Sequence, residues 1–299
     1  MPSMTATPAK FKIWLLASRP KTLPAAAAPI IVGSALTYAD GSFRPLIALI
    51  CLLTALLLQI GSNLANDVFD YEKGTDQGER LGPTRVTQSG LLTPGEVKHG
   101  MIVVFGASAT LGLYLIFIGG WPIFVLGMAA ILSAIAYTGG PYPLGYHGLG
   151  DLFVFIFFGL VAVTGTYYLQ TETITPAVWW MSVAMGLLTT AILVVNDLRD
   201  IENDRLGGKK SLAIRFGERF SQMEYAACIL GAYLIVAGLA LGGNLPPWSL
   251  LTLLTLPLAI RLLRSVRTDR GQTLNKTLAG TGQLELFYAL ALAAGLLIP

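Results

Sequence analysis

Residues 46–72 read LIALICLLTALLLQIGSNLANDVFDYE. Positions 46–66 hold no charged residue, and then Asp67, Asp70 and Glu72 follow in quick succession. A helix needs roughly 20 largely apolar residues to cross a bilayer. The stretch therefore predicts a membrane span that ends in acidic side chains. Eight other stretches predict spans: about 22–38, 101–118, 121–137, 152–169, 178–195, 225–241, 248–263 and 284–298. Residues 11–18 predict a short interfacial helix that Pro20 separates from the first span. The third and fourth spans are divided only by Gly119-Gly120, which predicts a tight hairpin.

Composition points the same way. Of 299 residues, 54% are hydrophobic and 12% charged. A water-soluble domain carries about 25% charged residues, so the polar groups here are too few to coat a soluble particle of this size. The net charge of +3 is small and gives no reason to expect nucleic-acid binding. Cys51 and Cys228 lie in apolar runs, and His99 and His147 are isolated, so none has metal-ligand spacing. No cleavable leader is expected at the N-terminus. The expected fold is all-α: one transmembrane domain over residues 1–299, built as two four-helix groups plus a ninth helix, with no soluble domain. With the N-terminus in the cytoplasm and sides alternating, every Lys and Arg except Arg44 falls on the cytoplasmic side. That sorting obeys the positive-inside rule, and one span more or fewer would scramble it.

The end of the second span, Asn63 to Arg85, reads NLANDVFDYEKGTDQGERLGPTR. The end of the sixth, Asn196 to Gly217, reads NDLRDIENDRLGGKKSLAIRFG. Asn66, Asp67 and Asp70 correspond to Asn196, Asp197 and Asp200 at one constant offset. The repeat reflects either a diverged internal duplication or two convergent sites that face each other. Residues three apart share a helix face, so Asp67 with Asp70, and Asp197 with Asp200 and Asp204, would crowd carboxylates at one mouth of the bundle. Repulsion in a partly dehydrated site calls for a hard cation. Mg²⁺ takes one or two carboxylates, keeps several waters and bridges to substrate phosphates. Lys73, Arg80 and Arg85 follow the first motif, and Arg199, Lys209, Lys210 and Arg215 accompany the second. Such cations fit a diphosphate clamped directly as well as through metal. Singly, each also reads as a positive-inside anchor, as do Arg19 and Lys21. The loop YTGGPYPLGYHGLGD, Tyr137 to Asp151, holds Tyr137, Tyr142 and Tyr146. Its rings read either as a cation-stabilising lining or as an interfacial aromatic belt.

These stretches resemble the UbiA superfamily of intramembrane prenyltransferases, from SRPKTLPA at residues 18–25 to LAGTGQLELF at 278–287. The strings GERLGPTRVTQSGLLTP (78–94), YTGGPYPLGYHGLGD and GTYYLQT (165–171) look like the branch that prenylates 1,4-dihydroxy-2-naphthoate in menaquinone biosynthesis. Many members carry a third Asp four residues after the second. Here that position is Gly74 and Asp76 follows, as is common in the naphthoate branch. The resemblance implies transfer of a polyprenyl group from an allylic polyprenyl diphosphate to the aromatic acid, with loss of CO₂ and diphosphate. It implies Mg²⁺ on Asp67, Asp70, Asp197, Asp200 and Asp204, with Arg85 and Lys210 acting on the leaving group. Asn63, Asn66, Asn196, Lys21, Lys73, Arg80, Lys209, Arg215, Tyr137, Tyr142 and Tyr146 would contact substrate. A multi-pass location in the bacterial inner membrane is expected, with the active site facing the cytoplasm and the polyprenyl chain in contact with lipid. A related acceptor such as 4-hydroxybenzoate is the nearest alternative. A transporter fits less well, because carriers bind near the midplane and these carboxylates cluster at one mouth.

Overall fold

A computed structural model describes residues 9–74 and 81–298, and among these all regular structure is helical. Helix α1 (Lys10–Ala17) leads to α2 (Leu23–Ala39), α3 (Pro45–Glu72) and α4 (Pro94–Ala136). After the tyrosine loop come α5 (Gly150–Val154), a π-helical segment (Phe155–Val161) and α6 (Ala162–Thr171), which run on as one rod. Next are α7 (Pro176–Leu206), the short α8 (Leu212–Phe216) and α9 (Glu218–Leu241). A 3₁₀ stretch (Pro247–Thr255) opens into α10 (Leu256–Thr268), and α11 (Leu274–Leu297) closes the chain. The protein is a multi-pass membrane protein, with 8 helical stretches long and apolar enough to cross a bilayer.

One of those stretches is two crossings. A straight helix of the 43 residues in α4 would be about 65 Å long, twice the hydrocarbon thickness. Gly120, at φ 71° and ψ −159°, folds it into two arms. Only glycine enters that region readily. The expected tight hairpin is thus present, and with it the described residues make nine crossings. Proline breaks the α1–α2 junction as expected, with Arg19 at φ 49° beside Pro20. Three boundaries differ from expectation. Helices α3 and α7 continue past the apolar run to Glu72 and Leu206, so both acidic motifs are helical. Helix α11 begins at Leu274, ten residues before the apolar stretch, because its polar first turns pack inward: Leu274 and Thr277 are buried.

The bundle is polarised end to end. At one end Lys98 pairs with Glu72, Lys10 with Glu96, and Arg270 with Glu218. At the other, Gln170 accepts from the Arg44 amide, and the Tyr167 hydroxyl donates to Asp40. The largest apolar core lies among α2, α6, α7, α9, α10 and α11. By contrast α4 shows Phe117, Trp121 and Leu113 to the surroundings, a surface for lipid rather than water. Gly120→Ala is expected to cost about 1–3 kcal/mol through backbone strain. In detergent its thermal midpoint should fall below wild type, and an unchanged midpoint would contradict the two-arm reading of α4.

Candidate active site

A cavity of about 470 Å³ runs along the inside of the bundle. Helix α3 lines it from Cys51 to Asp70, which spans about 28 Å at 1.5 Å per residue. At the charged end its walls carry Asp70, Asp197, Asp200, Asp204, Asn66, Asn196, Arg85 and Lys209; at the far end they carry Ile30, Leu115, Ile123 and Leu169. The rod from α5 to α6 lines the bore with Phe153, Phe157, Val161, Gly165 and Leu169, and with Val154, Phe158, Ala162 and Thr166 beside them. In an α-helix every fourth residue drifts round the axis by about 40°. The π segment turns less per residue and keeps both rows on one wall. Phe153, Phe157 and Phe158 read as ordinary membrane-span residues, and the sequence carries no signal that they face a cavity.

Each acidic side chain at the mouth has its own arrangement. Asp70 forms an ion pair with Arg85 and accepts from the Tyr146 hydroxyl at 2.6 Å. Asp200 takes a forked pair from Arg199, at 3.0 Å from Nε and 2.5 Å from Nη2. Arg199, only 3% exposed, also donates to Asn275 on α11 and to Asn196. Asn275 in turn donates to the Leu81 carbonyl at 2.6 Å, so the loop after α3 is tied to α7 through α11. Gly82 permits this, since a Cβ there would lie 2.8 Å from the Arg199 guanidinium. Asp204 pairs with Lys209 at 2.9 Å. Asp197 has no ion pair among the described residues, and the charges that bear on it are Asp151, Asp204 and Lys209. Asp151 escaped the sequence reading because it stands alone at the end of the tyrosine loop.

Other expected site residues divide into those that reach the cavity and those that do not. Lys21, Asn63, Asn66, Asn196 and Tyr137 line it, although the Asn63 amide is engaged by the Ser18 carbonyl and the Thr22 hydroxyl. Burial opposes the charge on Lys209, but Asp70 and Asp204 outweigh it and hold its pKa above the usual lysine value. The Lys73 and Lys209 ammonium groups lie 4.9 and 5.3 Å from the Tyr146 ring centroid. That ring therefore already carries cations.

Several other expected residues lie away from the cavity wall. Tyr142 is exposed and stacks on His147 with centroids 3.6 Å apart, away from the cavity. The Lys210 side chain is exposed, and its backbone N–H holds the Tyr146 carbonyl at 2.9 Å. Arg215 donates to the His147 carbonyl at 2.7 Å. Lys73 donates to the Thr138 carbonyl at 2.6 Å. All three basic residues pin the tyrosine loop in place and none lines the cavity. Asp67 does not line it either: both its oxygens accept backbone N–H groups, from Val86 and Thr87, each at 3.0 Å. Arg80 and Asp76 lie outside the described residues.

The donor set suits a hard cation held partly by substrate. Among the described residues no three His, Cys, Asp or Glu side chains converge. Any one ion would thus take one or two carboxylates and complete its shell with water and phosphate oxygens, the usual manner for Mg²⁺.

Residues 26–297 match the model of the UbiA prenyltransferase family. A protein of Escherichia coli (strain K12) named 1,4-dihydroxy-2-naphthoate octaprenyltransferase is 43% identical over 265 residues, 86% of this chain and 85% of its own. The Haemophilus influenzae protein of the same name is 39% identical over 298 residues, covering 97% of each. Among solved structures, a UbiA homologue from Archaeoglobus fulgidus bound to GPP and Mg²⁺ superposes with a TM-score of 0.70 at 13% identity, covering 94% of this chain and 99% of that one. The apo homologue from Aeropyrum pernix K1 gives 0.68 at 18% identity, with 92% and 97% covered.

The unequal pairing of the two carboxylates on α7 has a measurable consequence. Asp200→Asn strands the buried Arg199 guanidinium and should destabilise by about 3 kcal/mol or more. Asp197→Asn breaks no ion pair and relieves repulsion from Asp151 and Asp204, so its thermal midpoint should equal or exceed wild type. The reverse order of midpoints would contradict the arrangement.

Proposed function

The chain belongs to the UbiA prenyltransferase family, and we propose that it transfers a polyprenyl group from an allylic polyprenyl diphosphate to 1,4-dihydroxy-2-naphthoate, releasing CO₂ and diphosphate and leaving demethylmenaquinol. The observation that carries this reading is a cavity with a charged mouth and an apolar bore. It suits a molecule with a polyanionic head and a long hydrocarbon tail. Its length, about 28 Å along α3, matches the hydrocarbon thickness from which such a tail would enter.

The residues divide the work by position. Arg85 and Lys209 offer cations to the diphosphate, and hydrogen bonds between charged partners are about twice as strong as neutral ones. Asp70, Asp197, Asp200 and Asp204 would hold Mg²⁺, which when bound supplies positive charge to the departing diphosphate. The phenylalanines of the bore keep water from the allylic cation formed as the C–O bond breaks. Among the described residues no lysine ammonium lies over these rings or that of Tyr137, as two do over Tyr146, so cation–π stabilisation falls to this wall. A ring carbon of the acceptor forms the new C–C bond. The bond to the carboxyl group breaks, its electron pair restores the aromatic ring, and CO₂ leaves. No ring proton is lost, because the carboxyl group is the leaving group, and the released diphosphate takes a proton from water.

Sidedness follows from the basic residues. The mouth lies at the end that gathers the lysines and arginines, and the positive-inside rule supports a cytoplasmic mouth with the N-terminus on the same side. A bacterial inner membrane is the matching location. An anionic aromatic acid would then enter from water and the donor from lipid.

A label on the acceptor's carboxyl carbon tests the reaction. With purified protein, Mg²⁺ and a polyprenyl diphosphate, labelled CO₂ is expected in step with prenylated product. Product that retains the label, or turnover only with 4-hydroxybenzoate, would overturn the acceptor assignment. Asp197→Asn should lower the rate on the order of 10²-fold while leaving the protein folded. Full turnover after exhaustive chelation would refute the metal requirement.

A further inference from the structure

Asp67 belongs to the acidic motif by sequence, yet its surroundings differ from those of every other carboxylate at the mouth. It is 1% exposed. Oδ2 accepts from the Val86 N–H and Oδ1 from the Thr87 N–H, both at 3.0 Å, and Arg19 Nη2 stands 4.0 Å from Oδ2. A carboxylate that accepts two buried backbone amides is anchoring a chain segment, since a buried amide without a partner is costly and Val86 and Thr87 are both buried.

The anchored segment is the one that delivers Arg85. Val86 is wholly buried in the cluster formed with Leu64, Ala65 and Val68 of α3. The amides of Leu91 and Leu92 both return to the Val86 carbonyl, and that of Ser89 returns to the Arg85 carbonyl. This tight turn is fixed to α3 by Asp67. One residue before the anchor, Arg85 donates from Nη1 to the Asn66 carbonyl at 2.9 Å and pairs through Nη2 with Asp70. Asp67 and Asp70 are three apart and share a helix face. The first therefore holds the backbone of the turn, and the second meets the guanidinium that the turn presents. The corresponding Asp197 has no such segment to hold and lines the cavity instead.

We infer that Asp67 is a positioning residue: it clamps the turn at Val86-Thr87 so that Arg85 stands at the cavity mouth, and it is not a metal ligand. The inference rests on the proposed diphosphate-binding role of the mouth. It separates the two Asp residues of the first motif by task, one for placement of a cation and one for contact with the ligand shell.

The test is a double-mutant cycle read by binding. A non-reactive thio-analogue of the polyprenyl diphosphate is titrated into wild type, Asp67→Asn, Arg85→Ala and the double variant, each with Mg²⁺. Asp67→Asn turns one acceptor into an NH₂ group facing an amide N–H. Affinity should then fall about tenfold or more, close to the loss in Arg85→Ala, and the double variant should bind no worse than Arg85→Ala alone. The Mg²⁺ concentration for half-maximal analogue binding should stay at the wild-type value in Asp67→Asn and rise in Asp204→Asn. Losses that multiply in the double variant, or a Mg²⁺ shift in Asp67→Asn equal to that in Asp204→Asn, would overturn the inference. If Asp67→Asn does not accumulate as folded protein, Asp67→Glu keeps both acceptors while moving the turn, and the same two criteria apply to it. A wild type that fails to bind the analogue would instead count against the diphosphate reading of the mouth itself.

Discussion

An ionised carboxylate taken out of water is expensive unless a cation or several hydrogen-bond donors accompany it. The charged end of this bundle is organised around that constraint. Asp70 is matched by Arg85, Asp200 by Arg199, and Asp204 by Lys209, while Asp67 is matched by two backbone amides. These pairings do more than neutralise charge. The partners of Asp67 and Asp70 come from the turn after α3, Lys209 comes from the turn after α7, and Arg199 reaches across to α11. Satisfying the carboxylates thus draws three separate parts of the chain to one mouth. Ion pairs of this kind hold the site in shape and also provide a set of cations and carboxylates that a charged ligand and its metal can divide between them.

The tyrosine loop completes the mouth by a similar logic. Tyr146 donates to Asp70, which lies on α3, and its ring carries the ammonium groups of Lys73 and Lys209, one following each acidic motif. With the Arg199–Asn275 link, it joins the two halves of the site. Behind the mouth the chemistry changes at once to phenylalanine and aliphatic side chains, held to one wall by the π segment. Gly159 and Gly186 allow that wall to press on α7, since a Cβ on Gly159 would lie 2.4 Å from the Gly186 Cα. An abrupt change from charged to apolar is what an amphiphilic substrate needs, and it is also the order in which a bilayer presents headgroup and tail.

Much of this was legible in the sequence. Span number, the tight hairpin at Gly119-Gly120 and the gathering of basic residues at one end follow from hydropathy and charge alone, because the bilayer leaves a chain few options. The repeated Asn-Asp-x-x-Asp motif marked the mouth. Roles within the motif were not legible. Asp67 and Asp70 look equivalent by spacing, and only the fold of residues 81–93 shows that one faces backbone amides and the other a guanidinium. Tyr142 and Tyr146 are four residues apart in one loop, yet that loop's turn sends one to the surface and the other to Asp70. Lys210 and Arg215 carry the expected charge but spend their bonds on loop carbonyls. Phe153, Phe157 and Phe158 were hidden for a different reason: in a membrane span an apolar residue facing lipid and one facing a bore read alike.

On the proposed function, head and tail of one substrate occupy this cavity, with the metal at its charged end and the tail along the rod from α5 to α6. The most direct measurement is an experimental structure of the protein with a non-reactive polyprenyl diphosphate analogue and Mn²⁺ in place of Mg²⁺, with the metal located by its anomalous scattering. Metal signal is expected at the mouth among Asp70, Asp197, Asp200 and Asp204, none on Asp67, with the tail against Phe157 and Phe158. Metal bound at Asp67, or a tail lying outside the bore, would contradict this arrangement.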